Sequence, residues 1–104
     1  MKIFNLKRKP THPGEVLREE YLNELKISQS KLAKDIDVSF VAINEIVNEK
    51  RGISHEMALK LSKYFNTSIE FWINLQLKSD LYKIMQNEKL MNKIDNIKPI
   101  SQLV

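Results

Sequence analysis

The sequence predicts an all-α domain of five helices built round a helix-turn-helix, with a long helix toward the C-terminus. Three observations predict it. Only two glycines and three prolines occur in 104 residues while Leu, Ile, Lys and Glu are plentiful, a balance that favours helices over a sheet rich in turns. Apolar residues recur at helical spacing along most of the chain. Ser28, Ser39, Ser54 and Thr67 each stand just before such a run, where a helix cap belongs. With 42% hydrophobic residues at this length, the chain can bury one core but not two.

Taken in order, residues 1–11 form a basic N-terminal arm that alternates hydrophobic and basic residues before Pro10 and Thr11, and that forms a short strand, an extended arm or nothing ordered. Lys7, Arg8 and Lys9 either reach a phosphate or a partner's acidic patch, or make a solvated terminus. The DNA-binding domain is expected over residues 12–86. Its first helix, His12 to Leu25, starts with Pro13 in the first turn, where the missing N–H costs nothing, and puts Glu15, Glu19 and Glu20 near the positive end of the helix dipole. Val16, Leu17, Tyr21, Leu22 and Leu25 make its apolar stripe. Its acidic outer face would be repelled by phosphate, so this helix scaffolds and points away from DNA.

Residues 28–51, SQSKLAKDIDVSFVAINEIVNEKR, are two short helices joined by a tight turn. Ser28 caps the first; Leu32, Ala33 and Ile36 share its buried face, and Ala33 is small where two helices must touch. Asp37 is the turn residue, since a short polar side chain tolerates left-handed backbone, and Val38 fills the corner. Ser39 caps the second helix, whose Ile43, Ile46 and Val47 pack on Leu32 and Ala33. Phe40, Val41, Asn44, Glu45 and Asn48 are left facing outward. In a DNA reader that strip enters the major groove, although an ordinary helical hairpin has the same spacing. Lys50 and Arg51 in the next loop are phosphate contacts or solvated loop charges.

Ser54 opens the next helix with Met57, Ala58, Leu61, Tyr64 and Phe65 inward, and Asn66 ends it. Thr67 with Glu70 makes a capping box for a long helix that runs through Trp72 to about Met85. Its apolar residues cover more of the circumference than one core needs. Either a second subunit takes the excess, with Trp72, Leu75 and Tyr82 at a dimer interface, or all of it lies within one compact core. The tail, residues 87–104, prolongs this helix or makes a separate turn round Leu90, Met91 and Ile94 before Pro99.

Composition narrows the function. The absence of cysteine removes disulfide and thiolate chemistry and suits a reducing cytoplasm. No apolar run could span a membrane and the start MKIFNLKRKP lacks the apolar core of a signal peptide, so the expected compartment is cytoplasmic. A net charge of +4 favours an anionic partner, yet residues 28–52 balance Lys31, Lys34, Lys50 and Arg51 against Asp35, Asp37, Glu45 and Glu49. A neutral reading unit binds DNA weakly alone, and two copies on one site are the natural remedy. Catalysis is not expected. His12 precedes a helix beside Pro13, His55 sits in the first turn of another, and neither they nor Glu15, Glu19 and Glu20 have metal-ligand or acid–base spacing. No cofactor or metal is expected.

The reading pair resembles the helix-turn-helix of phage repressors, with Gln29, Leu32, Ala33, Val38, Ser39, Ile43, Ile46, Asn48 and Lys50 at matching places. The blocks HPGEVLREEYL, SQSKLAKDIDVS, NEKRGISHEMALKLSKYFNTS and IEFWINLQLKSDL, in order over most of residues 12–81, narrow the resemblance to the HigA-type antitoxins. That resemblance implies a protein that neutralises an mRNA-cleaving toxin of the HigB or RelE type and, as a homodimer, represses its own operon at palindromic operator DNA. It further implies that Gln29 and Ser39 meet phosphates while Phe40, Val41 and Glu45 meet base edges. Here the chain departs from the pattern, because relatives often carry Arg or Gln where Phe40 and Val41 stand. Those two cannot donate hydrogen bonds to purines but can pack on thymine methyls, and Asn44 or Asn48 can read adenine, which motivates an A·T-rich site. The rival readings are a free-standing transcriptional repressor without a toxin partner, and a pure protein inhibitor whose reading unit is vestigial.

Overall fold

A computed structural model of the protein describes residues 8–102. Helix α1 (Pro13–Val16) runs directly into a π-helical segment (Leu17–Asn23); α2 (Gln29–Asp35), α3 (Phe40–Val47), α4 (His55–Phe65), α5 (Ile69–Met85) and α6 (Glu88–Asp95) follow, with a 3-10 turn at Ile100–Gln102. The tail therefore makes a separate sixth helix, started by the Asn87 side chain, which accepts from the Leu90 N–H at 3.0 Å. The expected arm lies largely outside the described residues; Arg8 and Lys9 are exposed and Pro10 is half-buried. Among the described residues no helix is long and apolar enough to cross a membrane.

Serine hydroxyls begin four of the helices. Ser28, Ser39, Ser54 and Ser68 each accept from the backbone N–H three residues on, at 3.0, 3.1, 3.1 and 3.2 Å. Ser68 corrects the expected Thr67–Glu70 capping box. Thr67 is otherwise engaged: its hydroxyl accepts from the Trp72 indole N–H at 2.8 Å, the partner a buried tryptophan requires.

The helix ends share one device as well. Lys26, Asp37, Glu49 and Asn66 all have left-handed backbone, with φ of 56°, 56°, 60° and 55°. The next residue's N–H then reaches five residues back: Ile27 to Leu22, Val38 to Ala33, Lys50 to Glu45 and Thr67 to Ser62, at 2.8–3.0 Å. Asp37 was legible as such a position. Lys26 has an exposed, long side chain where glycine would relieve the backbone, so Lys26→Gly is expected to stabilise the fold by about 0.5–1 kcal/mol. A urea midpoint that rises at unchanged slope would report it, and an unmoved midpoint would contradict it.

The core gathers Val16, Leu17, Leu22, Leu32, Ala33, Ile36, Ile43, Ile46, Val47, Ile53, Met57, Ala58, Leu61 and Trp72, with Tyr21, Val38, Tyr64, Phe65, Ile73 and Leu75 packed half-buried against it. Each fully buried leucine or isoleucine contributes about 1.5–3 kcal/mol, so this cluster fixes the angle of the α2–α3 pair. Two expectations fail here. Leu25 stands 56% exposed, because the wide π-helical turn before it carries each residue less far round the axis and spoils the 3.6-residue register. Trp72 is 0% exposed within a single chain, ringed by Tyr21, Phe65 and Phe71, and so cannot be a surface for a second subunit.

The molecule is long, 57 × 22 × 21 Å, with a radius of gyration of 17.1 Å where a compact chain of this size has about 13 Å. Its C-terminal part accounts for the length. Helix α6 has no buried residue and packs on α5, whose buried residues are only Trp72 and Ser79.

Candidate nucleic-acid interface

Helix α3 is amphipathic in the way a reader must be. Ala42, Ile43, Ile46 and Val47 are buried, while Val41 and Phe40 are 60% and 49% exposed in the first turn and Asn48 is exposed at the other end of the helix. Asn44 and Glu45 are half-buried, yet their surroundings are polar side chains rather than core. Asn44 Nδ2 donates to Gln29 Oε1 at 3.0 Å, and Asn48 Nδ2 donates to Asn44 Oδ1 at 3.2 Å and to its carbonyl at 2.9 Å. Glu45 Oε1 accepts from Arg51 Nη2 at 3.2 Å. Ser39 is exposed at the start of the helix, and Lys50 is exposed in the loop at its end. The structure thus joins Gln29, Asn44 and Asn48 in one hydrogen-bonded row and Glu45 with Arg51 in a pair, while Ser39, Phe40, Val41 and Lys50 are exposed on α3 or at its ends. Leu75 and Tyr82 lie apart from it on α5, both half-buried.

Four contacts that the sequence did not signal hold α3, the turn before it and the loop after it in place. Gly14 lies so close that a Cβ there would sit 1.8 Å from the Ile46 carbonyl oxygen, so α1 meets α3 backbone to backbone. Arg18 Nη1 donates to the Val47 carbonyl at the C-terminal end of α3, and Arg18 Nη2 lies 3.7 Å from Glu49 Oε2. A cation there also answers the negative end of the helix dipole. Past the loop, Gln76 Oε1 accepts from the Ile53 N–H at 2.7 Å while its Nε2 donates to Asp80 at 2.8 Å. Lys60 Nζ donates to the Asp37 carbonyl at 3.2 Å, steadying the turn between the paired helices.

His12 completes this support, and it makes the support sensitive to acid. Its Nδ1 accepts from the Gly14 N–H at 2.9 Å, which a protonated ring cannot do. Burial lowers its pKa; Lys83, Lys9 and Arg18 nearby push the same way and Glu49 opposes them. The folded state therefore holds fewer protons than the unfolded chain, and this contribution to stability is complete above the unfolded value near pH 6.5 and lost as the pH falls through the folded one. Replacing the ring with a hydroxyl cap, His12→Ser, is expected to flatten the decline in melting temperature between pH 7.5 and pH 5.5. An undiminished decline would assign it to other groups.

The chain matches the helix-turn-helix family model over residues 19–72. It is 44% identical over 92 residues to an uncharacterised helix-turn-helix transcriptional regulator of Haemophilus influenzae, covering 88% of this chain and 86% of that protein. Among solved structures it is similar to the Pseudomonas aeruginosa antitoxin HigA with the higBA promoter, at 45% identity and a TM-score of 0.77, covering 86% of this chain and 97% of that one. The antitoxin GraA in complex with its operator matches at 38% identity and a TM-score of 0.78, covering 88% of this chain and 92% of that one.

Proposed function

Since this chain belongs to the helix-turn-helix family of HigA-type antitoxins, we propose that it binds operator DNA through α2 and α3, represses its own operon as a homodimer, and neutralises a HigB-type toxin in the cytoplasm. One observation carries the DNA reading. The outward strip of α3 reaches solvent while its opposite side is buried against α1 and α2, which is the geometry a major groove accepts. Phe40 and Val41 then meet base edges from the first turn of α3, Asn48 from its far end, and Lys50 and Arg51 meet phosphates. Gln29 joins these, because Asn44 occupies its carbonyl oxygen and leaves its amide N–H groups for a phosphate oxygen. Relatives solved with promoter or operator DNA support the reading that this fold binds DNA.

Pairing rests on the C-terminal arm. An eight-residue helix is marginal alone, and α6 turns Leu90, Met91 and Ile94 along one side without burying any of them, shortly after exposed Ile84 of α5. A second copy laid along this arm covers those residues and Leu75 and Tyr82 at its edge, and doubles the phosphate contacts that a neutral reading unit lacks. The test measures mass in solution and affinity for the DNA upstream of the gene. Wild type is expected as a dimer that retards the fragment at low salt; Ile84→Glu with Leu90→Glu is expected as a folded monomer with much weaker binding. Unchanged mass would remove the arm as the interface, and no binding by wild type at low salt would remove the DNA reading. A free-standing repressor is the second reading, favoured by the relative described as a transcriptional regulator. Failure of the neighbouring gene product to co-purify with the chain would select it.

A further inference from the structure

On the proposed DNA-reading face, several polar side chains already have partners within the chain. Glu45 projects from the middle of the strip, where a base-reading residue would stand, but its carboxylate holds the Arg51 guanidinium at 3.2 Å. Both side chains are partly solvent-exposed, at 35% for Glu45 and 48% for Arg51, so the pair sits on the face and is not locked in the core. A carboxylate in this place acts on the cation that a phosphate would otherwise take. Arg51 has five N–H donors, one of them given to Glu45, so it can still approach a phosphate, but as half of a neutral pair. Of the neighbouring charges, Glu49 is turned to Arg18, and Lys50 is exposed beside Arg51.

We propose that Glu45 is an intramolecular phosphate mimic that restrains Arg51, lowering affinity for all DNA and so raising the share of binding that comes from the apolar readers Phe40 and Val41. This rests on the DNA-binding reading above. It makes Glu45 a positioning residue for Arg51 and not a base contact. The physical basis is that sequence-independent affinity scales with the phosphates a protein neutralises, whereas packing on thymine methyls does not change with salt. Restraining one cation therefore weakens the sequence-independent part of binding on every duplex and leaves the apolar base contacts untouched.

The test compares wild type, Glu45→Gln, Arg51→Gln and the double variant on the operator and on a scrambled duplex of equal length, over a range of salt. Gln keeps the shape of Glu45 and its acceptor oxygen, and the site is half-exposed, so folding is not at stake. Expected for Glu45→Gln is a gain of severalfold to about tenfold on both duplexes and a slope of log affinity against log salt steeper by about 0.9, the value for one more neutralised phosphate. The ratio of operator to scrambled affinity stays that of wild type, because a phosphate contact carries no sequence information. In the Arg51→Gln background the same change is expected to do little, because the carboxylate then has no cation to restrain. Three results would overturn the proposal. One is Glu45→Gln weakening the operator alone at constant slope, which would make Glu45 a base contact. Another is an equal gain with and without Arg51, which would make it a general repulsion. The third is no binding of either duplex by wild type at low salt, which would remove the DNA reading together with the restraint.

Discussion

Gly14→Ala is expected to destabilise the protein by about 3 kcal/mol or more, the upper end of the range for overpacking, and to weaken operator binding further in whatever remains folded. The size follows from what the new methyl meets. It would lie 1.8 Å from the Ile46 carbonyl oxygen and 2.8 Å from its carbon, so the obstacle is the backbone of the reading helix and not a side chain that can rotate away. Relief requires α1 and α3 to separate by more than an ångström. That movement also draws Arg18 off the Val47 carbonyl and removes the His12 ring from its cap position beside Gly14. Against a total stability of about 5–15 kcal/mol the loss is large, and a urea midpoint gives it directly. A variant within about 1 kcal/mol of wild type would mean that the two backbones are not in contact.

The same contact explains which parts of the fold were legible in the sequence. Local rules found the paired helices: Ser28 and Ser39 are caps, Asp37 is the left-handed turn, and Leu32, Ala33, Ile43, Ile46 and Val47 are the seam, all inferred from spacing within a few residues. What joins distant residues was not legible. Nothing within HPGE signals that its glycine touches a carbonyl more than thirty residues later, nor that Arg18, Gln76 and Lys60 each take a backbone group of the reading unit or its loops. Periodicity also names faces without saying which face is inside. On α5 it marked Trp72, Leu75 and Tyr82 alike, although only the first is in the core. The candidate site shows the same limit: residue types identified Glu45 and Arg51 separately, and only three-dimensional placement makes them a pair.

Trp72→Ala is the second large effect expected, a loss of roughly 3–5 kcal/mol with no change in the pairing of molecules that stay folded. The indole is 0% exposed and its ring centre lies 5.2 Å from that of Tyr21, 5.1 Å from Phe71 and 6.4 Å from Phe65. Each aromatic pair contributes about 0.5–1.5 kcal/mol beyond its buried area, and truncation leaves a cavity where α5 crosses the π-helical segment and α4. The Thr67 hydroxyl loses its donor as well. Because the lost contacts are all within one chain, thermal or urea unfolding should register the change in full, while mass at low temperature stays that of wild type. Ile84→Glu is its complement, since Ile84 is 44% exposed and changing it should alter mass while leaving the core intact. If Trp72→Ala instead halved the mass at wild-type stability, the indole would have to lie outside, and the division of α5 into an inner face for the core and an outer face for a second copy would be wrong.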